Sequence, residues 1–216
     1  MQIPTRIQAE AYLEEAAQMN PGLWVEHSRY AAKAAHAIAQ RLPEMDAEAA
    51  YILALLHDIG RREGMFNLLH CLHGYQFMQT EGFPDAARVC VTHCFLSTMP
   101  NQRQLHWDGT ANELEFLQEY MQSITQNDYD HLVLLCDSIS TGNGYCLLEK
   151  RIVDVTLRYG LYENSLHDWR SYIKTHTDFE SRLGCSVYAL LPGVVENTFG
   201  FETGENDGRK CIQKLP

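Results

Sequence analysis

The chain runs through Tyr51-Ile52-Leu53-Ala54-Leu55-Leu56 and then reads His57-Asp58-Ile59-Gly60. An apolar run of this kind is bound for the interior, and an imidazole and a carboxylate follow directly behind it. Ionisable groups persist in such surroundings when they are paired or bound to metal. Further donors flank the pair: His27 upstream, then His73, His93 and Asp137 downstream. The order His…His-Asp…His…His…Asp offers enough nitrogen and carboxylate for two metal ions. A chain so equipped points to metal-assisted chemistry, with the segments that carry the donors facing one cleft.

The pattern around these residues is helical. A first helix is predicted over Ile7 to Gln18, ended by Pro21-Gly22. The next, from about Leu23 to Leu42, sets His27, Ala31, Ala34 and Ile38 on one stripe. The alanines there let a neighbouring helix come close. Asp46 is an N-cap candidate for a helix reaching His57-Asp58, and Gly60 a natural stop. A helix over Phe66 to Thr80 carries His70 and His73. Pro84 suits the first turn of a helix through Val91 and His93. Ser97 to Gly109 reads as a loop over the site, and Asn112 to Ile124 as an amphipathic helix. Tyr129 to Ser140 holds the apolar run Leu132 to Cys136, ended by Asp137, before a turn at Gly142-Asn143-Gly144. Helices continue over Leu147 to Arg158 and Leu166 to Leu183. In the tail, Val187 to Leu191 reads as a short helix, Val194 to Phe201 as extended, and Gly204 to Gly208 as exposed and mobile. The expected fold class is all-α.

Adjacent helical residues point about 100° apart, so His57 and Asp58 share a cleft only where the helix ends. A carboxylate has two oxygens and can bridge two metals, so Asp58 is the expected bridge. His27, His57 and Asp137 would complete one metal position, and His73 and His93 the other. His70, one turn from His73, is its substitute. Imidazole with carboxylate suits iron, zinc and manganese.

This ordered set resembles the HD-domain metal-dependent phosphohydrolase superfamily. The matching segments are His27-Ser28-Arg29-Tyr30-Ala31, Leu55 to Arg61, His73-Gly74-Tyr75-Gln76, Val91-Thr92-His93-Cys94 and Leu134-Leu135-Cys136-Asp137-Ser138. The two extra histidines resemble the dinuclear branch, and the layout is most similar to small bacterial dinucleoside-tetraphosphate hydrolases. The resemblance spans roughly Trp24 to Thr141. It implies an HD-domain helical bundle with a ligand-bearing core at about 22–141; the C-terminal third matches no known family, and its own residue pattern adds a helical, partly irregular extension at 145–216 to what is read as one domain over 1–216. The resemblance also implies two divalent or mixed-valence metal ions, iron foremost or manganese, with zinc, nickel and magnesium open. Dinuclear members often carry Lys after the His-Asp-X-X run, where this chain has Arg61 and Arg62. Arg holds phosphate bidentately but does not give up its proton.

The activity so implied is hydrolysis of a phosphate ester or anhydride, with a nucleotide as substrate and a metal-bridging hydroxide as nucleophile. Asp58 and Arg61 would be catalytic. Arg61, Arg62 and Arg103 would bind substrate, with Arg29 and Lys33 as lesser candidates. A different chemistry shares the ligand set: some HD proteins are mixed-valence diiron oxygenases. A third reading is a nucleotide sensor with a degenerate site, and the complete ligand set argues against it.

Composition narrows the partners. The net charge of −11 argues against non-specific binding to duplex nucleic acid, which needs a basic footprint, but not against a small phosphorylated substrate at a local site. A second copy of the chain, as a homodimer, is the other partner admitted. No apolar run approaches a membrane span, and the start lacks a signal-peptide pattern. The seven cysteines include no CxxC pair, so they are read as free thiols in a reducing cytoplasm without redox or zinc spacing. His36, His106, His131, His167 and His176 are expected to be ordinary residues. Trp24 and Trp107 are expected in the packing rather than on a base.

Overall fold

The computed structural model describes residues 1–95 and 107–201. Among these, ten α-helices and one two-stranded ribbon are found, so the fold is all-α. Helix α1 (Arg6–Met19) opens on a capping box in which Thr5 and Gln8 satisfy each other's backbone N–H groups. Helix α2 (Leu23–Ala39) buries Ala31, Ala34, Ala35 and Ile38. These short side chains let α3 (Ala47–Leu56) lie close against it. Asp46 caps α3, accepting from the N–H groups of Glu48 at 2.9 Å and Ala49 at 3.1 Å. From Ala49 to Leu56 every residue of α3 is buried. Each leucine or isoleucine there contributes about 1.5–3 kcal/mol by leaving water.

His57 closes α3 in helical geometry, and Asp58 leaves it at φ −100° and ψ 12°. A 3₁₀ turn over Ile59–Glu63 follows. Gly60 lies inside that turn, so its role is not the stop its position suggests. A Cβ added there would sit 1.9 Å from the His70 carbonyl oxygen and 2.3 Å from the Gly74 nitrogen. Glycine is required because two backbones touch: the turn rests directly on α4 (Leu69–Thr80).

Helix α4 starts at Leu69 rather than Phe66. Asp108 supplies the start from a distant segment, its carboxylate accepting from the N–H groups of Asn67, Leu68 and Leu69. An acid at that end also meets the positive pole of the helix dipole. Helix α5 (Pro84–Thr92) has Pro at its first turn, and His93 caps its C-terminus. The expected loop over the site, from Ser97, lies outside the described residues up to 106; Trp107 to Gly109 lead into α6 (Ala111–Ser123).

Helix α7 (Asp128–Ile139) is tied to α5 by a buried carboxylate. Asp130 receives Arg88 Nε at 3.1 Å, the Arg88 Nη2 group, Thr92 Oγ1 at 2.7 Å and the Asn127 N–H at 2.7 Å. After α7, β1 (Ser140–Thr141) and β2 (Gly144–Tyr145) form a tight antiparallel ribbon around the expected turn. Helices α8 (Leu148–Tyr159) and α9 (Ser165–Leu183) then pack beside α7.

Val187–Leu190 is a 3₁₀ turn. The extended segment expected at Val194 to Phe201 is instead a helix, α10 (Val194–Phe199). The β-branched pair Val194-Val195 reads as strand, but Gly193 and Gly200 both take left-handed geometry and delimit one short helix between them. Gly204 to Gly208 lie outside the described residues.

Candidate metal centre

The end of α3 places His57 and Asp58 at the meeting point of α2, α4, α5 and α7. On one side His27 Nε2 lies 3.3 Å from His57 Nε2 and 2.9 Å from Asp137 Oδ1. His57 Nε2 lies 3.8 Å from both Asp137 Oδ1 and Asp58 Oδ2. On the other side Asp58 Oδ1 faces His70 Nε2 at 3.0 Å and His93 Nε2 at 3.6 Å. The two imidazole nitrogens are 3.4 Å apart. Asp58 thus lies between two pairs of histidines, with His27 and His57 within 4.8 Å on one side and His70 and His93 facing Oδ1 on the other.

A common device aims these four rings. The Nδ1 atom of each contacts a backbone carbonyl: His27 with Ser140 at 3.2 Å, His57 with Ala54 at 2.6 Å, His70 with Asn67 at 2.5 Å and His93 with Val89 at 3.0 Å. A carbonyl only accepts, so Nδ1 carries the proton and Nε2 is the atom presented to the site. This anchoring also separates His70 from His73. The His73 ring packs edge-on against Phe66, and its buried Nδ1 has no hydrogen-bond partner. The structure therefore does not bring His73 into the cluster expected for it, and His70 occupies that position. The two are three residues apart on α4, which turns their side chains about 60° from each other.

The electrostatics are those of a buried carboxylate held charged by the cations around it. Asp58 is only 4% exposed, and burial alone would raise its pKa. Arg61, His57 and His70 outweigh burial and hold it well below the usual carboxylate range. Its Oδ1 makes no hydrogen bond, and its nearest polar neighbour is His70 Nε2 at 3.0 Å. Burial pushes His57 down to about 4 despite Asp58. His70 is raised to about 9: burial and Arg61 oppose its charge, and Asp58 with Cys94 prevail. Asp137 is held below the usual range, the nearby histidines outweighing its burial.

The arginines fall into different roles. Arg61 donates from Nε to Asp58 Oδ2 at 2.7 Å and from Nη1 to the Phe66 carbonyl at 3.3 Å. Arg62 points away, bound to Glu15 at 2.7 Å and lying over the Phe77 ring. Its expected part in substrate binding is not supported, because adjacent residues of a 3₁₀ turn point about 120° apart and Arg62 does not border the cavity that Arg61 lines. Arg29 is held by Glu10 and Glu14. Arg103 lies outside the described residues.

The cluster opens into a cavity of about 820 Å³. His27, Asp58, Arg61, His70, His93 and Asp137 line its floor. Its other wall comes from α8 and α9, with Arg151, Arg158, Trp169 and Tyr172. No motif marks these residues in the sequence; they reach the site only because α8 and α9 fold back over α7. Trp24, expected in the packing, is 8% exposed and also borders the cavity. Among the described residues, no helix is long and apolar enough to cross a membrane.

Neither the curated proteins nor the solved structures contain a match to this chain. The family model of the HD domain matches residues 24–140, which is more than half of the chain and runs from the start of α2 to β1. The match takes in all the residues gathered around Asp58, and the chain belongs to the HD-domain family.

Proposed function

We propose that the protein is a metal-dependent phosphohydrolase acting on a nucleotide phosphate ester or anhydride. One observation carries the reading: a buried carboxylate lying between two pairs of histidines, one of its oxygens making no hydrogen bond. A donor set of imidazole nitrogen and carboxylate oxygen fits first-row divalent metals, iron and manganese among them. His27, His57, Asp58 and Asp137 would hold one ion, and Asp58, His70 and His93 the other. Such a pair of ions supplies Lewis-acid polarisation of phosphoryl oxygens and makes a hydroxide nucleophile accessible near neutral pH.

The chain's own residues do the rest. Arg61 fixes the Asp58 carboxylate through Nε and lends a permanent positive charge to the cavity floor, where negative charge on a phosphoryl group would collect. The backbone carbonyls that hold each Nδ1 keep the imidazoles from turning away. Arg151 and Arg158 in the wall, both paired with Asp154 there, would offer further cationic contacts to a polyphosphate that displaces that carboxylate, and Trp24 and Trp169 offer ring faces for a base. The cavity volume is that of a small-molecule site, and we read α8 and α9 as part of the same functional unit as the ligand-bearing helices.

The test is a product assay. Protein loaded with iron or manganese is incubated with mono- and dinucleotide polyphosphates, including dinucleoside tetraphosphates, and the products are separated by chromatography. Metal-dependent cleavage, lost in Asp58→Asn, is expected. No cleavage with two metals bound per chain, together with oxygen uptake by the iron form, would replace hydrolysis with oxygenase chemistry.

A further inference from the structure

Cys71 and Cys94 are 23 residues apart, and neither belongs to a metal-binding sequence motif. The fold sets their sulfurs 2.7 Å apart, in contact. Each follows one of the paired histidines directly, Cys71 after His70 and Cys94 after His93. The Nε2 and Sγ atoms of His70, Cys71, His93 and Cys94 all lie within 4.8 Å of one another.

Tetrahedral Zn²⁺, with bonds of about 2.3 Å to sulfur and about 2.0–2.1 Å to nitrogen, separates its donors by about 3.3 Å (N to N), about 3.6 Å (N to S) and about 3.8 Å (S to S). The observed values are 3.4 Å between the nitrogens and 3.7 and 3.8 Å from His70 to the two sulfurs. The His93–Cys94 distance, 3.1 Å, and the sulfur–sulfur contact are shorter. Both would open by about 1 Å or less as an ion entered. Both imidazoles are already anchored through Nδ1 to carbonyls of Asn67 and Val89. Cys94 borders the cavity and is partly exposed, which leaves a path for the ion, whereas Cys71 is fully buried.

We propose that His70, Cys71, His93 and Cys94 form a thiolate-bearing metal position, selective for Zn²⁺ and similar soft or borderline cations over Mg²⁺ and Mn²⁺. The proposal rests on reading His70 and His93 as metal ligands. Binding displaces the two thiol protons to solvent, so that the two thiolates offset the charge of the dication, while Asp58, beside the same imidazoles, keeps its charge offset by Arg61. Thiolate ligands favour Zn²⁺ and disfavour the harder ions that oxygen ligands accept.

The experiment is titration of the metal-free full-length protein with Co²⁺, followed by absorption. Thiolate ligation produces a sulfur-to-cobalt charge-transfer band in the near ultraviolet, whereas nitrogen and oxygen donors alone do not. The band is expected to saturate near one equivalent, to fall to about half in Cys71→Ser and in Cys94→Ser, and to vanish in the double variant, since each thiolate contributes its own charge transfer. It is expected to survive Asp137→Asn, which strikes the other position. Circular dichroism checks that the serine variants are folded; Cys94→Ser, at the partly exposed site, is the safer of the two. Cobalt bound without the band, a band unchanged in both serine variants, or no cobalt bound would each overturn the proposal. A charge-transfer band in a protein that cleaves no nucleotide would uphold this position and refute the hydrolase reading. Metal-dependent cleavage without the band would do the reverse.

Discussion

Two carboxylates sit in the interior within reach of the same helices, and they are treated in opposite ways. Asp130 is 2% exposed and fully matched: Arg88, Thr92 and the Asn127 N–H fill both of its oxygens. Asp58 is 4% exposed and unmatched at Oδ1, with imidazole nitrogens gathered around it. A buried charge with all its hydrogen bonds made is an internal tie, here joining α5 to α7. A buried charge left short of donors is tolerated only where something else supplies positive charge. Asp130 holds the fold together, whereas Asp58 is held in place by it.

The largest effect expected is at Asp58. Asp58→Asn should lower turnover on the order of 1,000-fold, the scale felt when a transition-state stabiliser is lost, while the melting temperature stays the same or rises. Steady-state kinetics and a thermal melt on one preparation check both halves. Asp130→Asn should behave inversely. Breaking a buried ion pair costs about 3 kcal/mol or more, so the urea midpoint should drop while turnover per folded molecule persists. An Asp130→Asn protein that is stable but inactive would place Asp130 in the chemistry with Asp58.

The histidines sharpen the same contrast on α4. His70→Ala should weaken metal binding by about 100-fold or more, beyond the 10–100-fold typical of an outer partner, and His73→Ala should leave metal content unchanged. Elemental analysis after dialysis against a weak chelator reads the difference. The arginines of the 3₁₀ turn give the smallest effects. Arg61→Ala should raise KM about tenfold, losing one charged contact near the substrate phosphate. Arg62→Ala should leave KM alone and cost about 1 kcal/mol of stability through its lost pairing with Glu15 and Phe77. If Arg62→Ala instead raised KM and Arg61→Ala did not, the orientation of the turn would be wrong.

Much of this was legible from local pattern. The apolar run of α3, the Asp46 cap, the Pro84 start and the alanine stripe of α2 each depend on neighbours a turn away, and each appears near where periodicity predicts it. The start of α4 was not legible, because its cap, Asp108, comes from a segment far along the chain. Nor was α10, where two flanking glycines override the strand preference of two valines. Arg151, Arg158, Trp169 and Tyr172 carried no signal at all as site residues, since α8 and α9 read as amphipathic helices without regard to what they cover.

The sequence by itself determined that the chain is helical, that His57 and Asp58 stand at the end of a buried helix, and that enough imidazole and carboxylate surrounds them to hold metal. Those properties follow from hydrophobic periodicity and from the cost of burying charge, both of which act over a few residues. Only the tertiary structure decided that His70 rather than His73 faces Asp58, that Arg61 turns inward and Arg62 outward, and that Cys71 meets Cys94. Residues three apart on a helix, or side by side in a turn, are equivalent to a periodicity argument. What tells them apart is the contact of the turn with α4, made where Gly60 and Gly74 let two backbones touch, and the distant carbonyls that take up each Nδ1.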